Sequence, residues 1–112
     1  MTLYYTFTSW FTYKAKIAAL LVSSKRIIAE QILLNGRDGK LLVGSDGQQS
    51  FWNSVQNGFE VRVANIKPDL ITWGNLQDLF YGLTRRCWLQ TSEFEFSVGG
   101  GFHIGRGSLS KV

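Results

Sequence analysis

The stretch from Thr72 to Trp88 constrains the fold more than any other. Leu76, Leu79, Phe80, Leu83 and Cys87 recur at i, i+3, i+4, i+7 and i+11, which is one apolar stripe of a 3.6-residue helix. Thr72 is placed as its N-cap, where the hydroxyl can accept from a free N–H of the first turn. Asn75 stands where a capping box uses Glu or Gln, so no box is expected. Asp69 and Asp78 lie toward the positive end of the helix and Arg85 and Arg86 toward the negative end, as the macrodipole favours. Pro68 sits just ahead of the helix, where its missing N–H does no harm. Gly74 and Gly82 each cost about 1 kcal/mol relative to Ala inside a helix, and Gly82 is expected to permit close packing on a neighbour. A helix with one apolar stripe needs a surface to cover it.

The flanking segments supply that surface. Phe59, Val61 and Val63 alternate with Glu60, Arg62 and Ala64, a strand running toward Ile66. Beyond the helix, Phe94, Phe96 and Val98 alternate with Glu93, Glu95 and Ser97. Gly99–Gly101 then turns the chain, and Phe102 and Ile104 continue the buried side of a β-hairpin. Gly105 and Gly107 predict a bulge or a close backbone approach at the far end. Residues 2–13 alternate as well: Leu3, Tyr5, Phe7, Phe11 and Tyr13 fall on one side, and the threonines with Tyr4 and Trp10 on the other. Residues 15–34 read as a helix, with Ile17, Leu21, Ile28 and Ile32 in period and Ser23–Ser24 as its weak point. Between 35 and 58, Asn-Gly and Asp-Gly pairs mark turns. They leave a short strand at 40–43 and, at 51–55, either a strand or a turn of helix.

At 112 residues the chain is one domain, 1–112. Two amphipathic helices on one side of an antiparallel sheet satisfy every apolar face, so the expected class is an α+β two-layer sandwich. The charge-free runs 1–13 and 17–24 fall short of the roughly 18 residues that suggest a membrane span. Lys14, the first basic residue, follows the aromatic run, contrary to a signal peptide. With only Cys87, no intramolecular disulfide can form, which favours a reducing compartment or a secreted protein that does without disulfides. The net charge of +4 is compatible with nucleic acid without requiring it.

The C-terminal half carries a resemblance through Thr72, Trp73, Gly74, Gly82, Leu83, Glu93 to Phe96, Gly105, Gly107 and Leu109. A strand is followed by a Thr-Trp-Gly helix start with Gly-Leu inside the helix, then Phe-Glu-Phe and a Gly-x-Gly-x-Leu ending. This resembles small uncharacterised fungal proteins. The resemblance implies a source and no activity or site.

Chemical motifs are sparse. Gly101 to Ser108 lacks the Lys and the following helix of a phosphate loop. The acids after Asn35 lack EF-hand spacing and the closing Glu. One histidine and one cysteine give no metal site, and no cofactor is expected; Cys87 reads as a small buried apolar residue. Three functions follow, in order of preference. The first is a non-catalytic, effector-like interaction module, contacting another protein or a second copy of itself. The second is nucleic-acid binding by Lys14, Lys16, Lys25 and Arg26 with the aromatics Tyr4 and Trp10. The third is a small hydrolase. If Gly99–Gly101 is the hairpin loop, Ser97 faces His103 and Glu95 lies diagonal to it, the residue types of a nucleophile, base and orienter. A flat hairpin surface offers no oxyanion hole, so no residue is expected to be catalytic.

Overall fold

The computed structural model describes residues 2–8, 13–43, 47–55, 58–66, 70–86, 90–97 and 103–111. Among the described residues the elements follow in the order β1 (Thr2–Phe7), α1 (Lys14–Asn35), β2 (Ser50–Val55), β3 (Phe59–Asn65), α2 (Trp73–Arg86), β4 (Ser92–Ser97) and β5 (His103–Lys111). The strands form one antiparallel sheet in the order β1-β4-β5-β3-β2. Both helices pack on one side of it, giving the expected α+β two-layer sandwich. Pro68, Asp69, Cys87, Val98, the Gly99–Gly101 turn and Phe102 lie outside the described residues.

The stripe of α2 is the centre of the core. Leu76, Leu79, Phe80 and Leu83 are fully buried, against Ile17, Leu20, Leu21 and Ile28 of α1 and Phe51, Val61, Val63, Phe94 and Phe96 of the sheet. The start of α2 is more tightly held than its sequence suggests. The backbone N–H of Asn75 donates to Thr72 Oγ1 at 3.0 Å, and the N–H of Thr72 donates back to Asn75 Oδ1 at 3.0 Å. A capping box therefore forms with the shorter Asn amide in place of Glu or Gln. The N–H groups of Trp73 and Gly74 donate to the carbonyls of Gly39 and Arg37.

That docking is the reason the strand expected at 40–43 is absent. The turn after α1 is held at the start of α2, and the following segment makes only single bridges among the described residues, Lys40 to Thr72 and Val43 to Gln49. Residues 51–55, ambiguous by pattern, are a strand because Phe51 faces the core and Trp52 faces solvent in the register of β3. β1 spans Thr2–Phe7, and residues 9–12 of the strand expected to reach 13 lie outside the described residues. Tyr13 instead precedes α1 and packs on Phe59, with ring centroids 4.8 Å apart.

Ser23–Ser24 does not break α1. Ser24 is buried in mid-helix, and its hydroxyl donates to the carbonyl of Leu20 at 2.8 Å. It also accepts from Asn53 Nδ2 of β2 at 2.9 Å, so the polar spot in the helix is matched by a polar spot in the sheet.

The glycines of β5 behave as expected, and those of α2 do not. A Cβ at Gly107 would collide with the carbonyl oxygen of Arg62 and lie 2.7 Å from the Phe94 ring; one at Gly105 would lie 2.6 Å from Phe96 and Ile71. A Cβ at Gly82 would meet only Leu3 Cδ2 at 3.6 Å, an ordinary contact. Close packing in α2 is found at Gly74 instead, against Arg37. Gly82→Ala should therefore raise stability by about 0.5–1 kcal/mol through helix propensity. Gly107→Ala should lower it by about 1–3 kcal/mol, because a backbone carbonyl blocks the added methyl. Urea denaturation of both variants checks the contrast; a loss at Gly82 or no loss at Gly107 would contradict this packing.

Candidate functional site

With both helices on one side, strand alternation places a second set of side chains on the other. Tyr4 and Thr6 of β1, Glu93 and Glu95 of β4, Arg106 and Ser108 of β5, Glu60 and Arg62 of β3 and Trp52 of β2 share this outer side by register. An open depression of about 590 Å³ lies over β1, β4 and β5, and its lining includes Tyr4, Thr6, Glu93, Glu95, Arg106 and Ser108.

A β-bulge shapes one end of it. Phe96 pairs with Gly105 but Ser97 pairs with His103, so Ile104 is the extra residue. Without it, alternation would turn His103 toward the helices. With it, His103 Nδ1 contacts Glu95 Oε2, and its ring stacks on Tyr4 with centroids 4.7 Å apart and planes 30° apart. Tyr4 and His103 belong to the two strands flanking β4, so the ring pair spans that strand.

The three residues weighed as a hydrolase are thus only partly joined. Glu95 and His103 meet as expected, whereas the Ser97 hydroxyl is buried and has no hydrogen-bond partner among the described residues. Turning Glu95 toward His103 has a second effect. Arg106 stands opposite Glu95 in the ladder, yet it is exposed and makes no ion pair among the described residues.

A second polar cluster continues across β3 and β2. Trp52 Nε1 donates to Glu60 Oε2 at 2.9 Å, and Arg62 Nε donates to Glu60 Oε1 at 3.1 Å. The indole bond, then the guanidinium bond and charge, outweigh partial burial and hold the Glu60 carboxyl below its usual range. Sequence reasoning did not single out Trp52, Glu60, Arg62 or Arg106. The alternation of β3 did signal that 60 and 62 share the polar side, but pairing with Trp52 required knowing that 51–55 is a strand.

Of the residues proposed from sequence for nucleic-acid or partner contact, the described ones are divided between the two sides of the sheet. Tyr4 is exposed on the outer side. Lys16 and Arg26 are exposed on α1, across the sheet from Tyr4, and the Lys25 ammonium lies over the Tyr81 ring, 5.6 Å from its centroid. Trp10 and the side chain of Lys14 lie outside the described residues. Among the described residues no three acidic, His or Cys side chains gather into a metal site, and no helix is long and apolar enough to cross a membrane. Compared with known proteins, the chain matches no family model, no curated protein and no solved structure.

Because the Glu60 carboxyl is lowered in the folded state, its contribution is present above the unfolded value of about 4.3 and lost as pH falls through the folded one. Glu60→Gln should cost under about 1 kcal/mol at neutral pH, as partly exposed pairs do. The deficit should vanish in acid, so the variant loses less stability on acidification than the parent. Urea midpoints across the acid range measure this; parallel pH profiles for the two proteins would contradict it.

Proposed function

We propose that the chain is a non-catalytic, effector-like interaction module that meets a protein partner with the outer side of its sheet. The observation that carries this reading is the exposure of Tyr4 (51%) and Trp52 (55%) on a sheet whose other side is covered by helices. Their rings flank a charged strip containing Arg106 and Glu93, the mixture of aromatic anchors and polar groups common at contact surfaces. The burial of Ser97 weighs against the hydrolase reading, since an attacking hydroxyl must reach substrate.

Nucleic-acid binding is the second reading, supported by exposed Lys16 and Arg26 on α1. It has less support than the first because Tyr4 lies across the sheet from them, so stacking and phosphate contacts would not share one strand of nucleic acid.

A paired measurement separates these readings. Arg106→Glu should retain the parent's denaturation midpoint, Trp52→Ser should lose under about 1 kcal/mol with its bond to Glu60, and both should lose a partner that the parent captures. Single-stranded DNA or RNA titrated at low ionic strength should leave the fluorescence unchanged. Binding that falls steeply with salt and is lost in Lys16→Glu/Arg26→Glu would favour the second reading. Turnover of generic ester, phosphodiester or glycoside substrates by the parent, lost in His103→Ala, would contradict the non-catalytic reading.

A further inference from the structure

We propose that the β1 edge is a self-pairing surface, and that two copies of the chain join there through β1 into one continuous antiparallel sheet. This goes beyond the interaction-module reading and uses a different surface, the β1 edge of the sheet rather than its outer side. β1 is an end strand of the sheet, and its ladder with β4 is regular over all of Thr2–Phe7. Over Thr2–Phe7 it has no charged side chain, no proline and no bulge, three of the devices that blunt an edge. The opposite edge is partly occupied, since Val43 bridges Gln49 beside β2 and the Gln49 amide donates to the carbonyl of Leu41.

The hydrogen-bond phase of β1 determines which groups are offered. The N–H of Thr8 donates to the carbonyl of Thr91 at 2.9 Å, in register with the β1–β4 ladder. Bonded pairs alternate in an antiparallel ladder. Even-numbered residues of β1 are therefore committed to β4, and Leu3, Tyr5 and Phe7 direct their N–H and C=O to the open edge.

A two-fold axis through Tyr5 satisfies these groups. Tyr5 pairs with its own copy and Leu3 pairs with Phe7, each pair exchanging both backbone bonds. The same register keeps side chains on matching sides. Tyr5 and Phe7, which contact each other at 5.2 Å and remain 38% and 41% exposed in the single chain, meet Tyr5 and Leu3 of the second copy. Tyr4 meets Thr6 on the outer side. No β1 charge is opposed or buried in this arrangement, and the helix layers of both copies lie on one side of the joined sheet. A second copy thus offers a matching row of bonds and side chains.

Tyr5→Pro is the decisive variant. The N–H it removes points to the open edge, so the fold of one chain should survive, as proline does on an edge strand. Tyr5→Lys tests the same contact with a charge. Sedimentation velocity from micromolar to millimolar concentration should show the parent passing from monomer to dimer. Both variants should remain monomeric with the parent's circular dichroism, and Trp52→Ser should dimerise like the parent. A parent that stays monomeric throughout, or a dimer that survives Tyr5→Pro, overturns the inference. A monomeric parent that still captures a different protein through Trp52 also overturns it while leaving the interaction-module reading in place.

Discussion

Two phenylalanine rings lying across two glycines hold the centre of this protein together. Phe94 and Phe96 project from β4 over Gly107 and Gly105 of β5, where any side chain would collide. β5 is the middle strand of the sheet, so this is where the helix layer comes down on it. Gly105 also leaves room for Ile71, the buried residue just ahead of the α2 cap. The same stretch of β5 carries the bulge at Ile104. The segment that makes the core close-packed is therefore also the one that rotates His103 to the outer side, onto Tyr4 and Glu95. Core and candidate site share one backbone irregularity.

Around that centre the polar groups are disposed so that both helices can approach the sheet. Orphan N–H groups at the start of α2 go to Thr72 and to the carbonyls of Arg37 and Gly39. The buried hydroxyl of Ser24 is shared between its own helix and Asn53 of β2. The bonds to Arg37, Gly39 and Asn53 each tie a helix to a distant segment. Arg37 extends this, reaching Gln77 and Asp78 on α2 from the turn that follows α1.

Much of the fold was legible because burial imposes a period. The stripe of α2, the alternation of β3 and β4 and the small residues of β5 each have one structural reading, and together they require two layers. What escaped was the consequence of contacts between distant segments. The segment 40–43 has the composition of a strand, but the turn before it is held at the start of α2. Asn75 completes a box that its shorter side chain did not suggest. Gly82 suggested tight packing, which is found at Gly74. The candidate site was less legible. Ser97, Glu95 and His103 were correctly aligned by the hairpin register, yet burial of the Ser97 hydroxyl depends on neighbouring strands. Arg106 and the Trp52–Glu60–Arg62 cluster depend on the strand order β4-β5-β3-β2, which no local pattern encodes.

The central claim is that one side of the sheet is sealed by helices while the other is left open with aromatic rings upon it. Hydroxyl-radical footprinting of dilute protein, read by mass spectrometry at single residues, tests this most directly. Tyr4 and Trp52 should be modified rapidly, and Trp73, Phe80 and Phe96 should be strongly protected. Protection of Tyr4 and Trp52 equal to that of Trp73 would contradict it, because the outer side would then be part of a core.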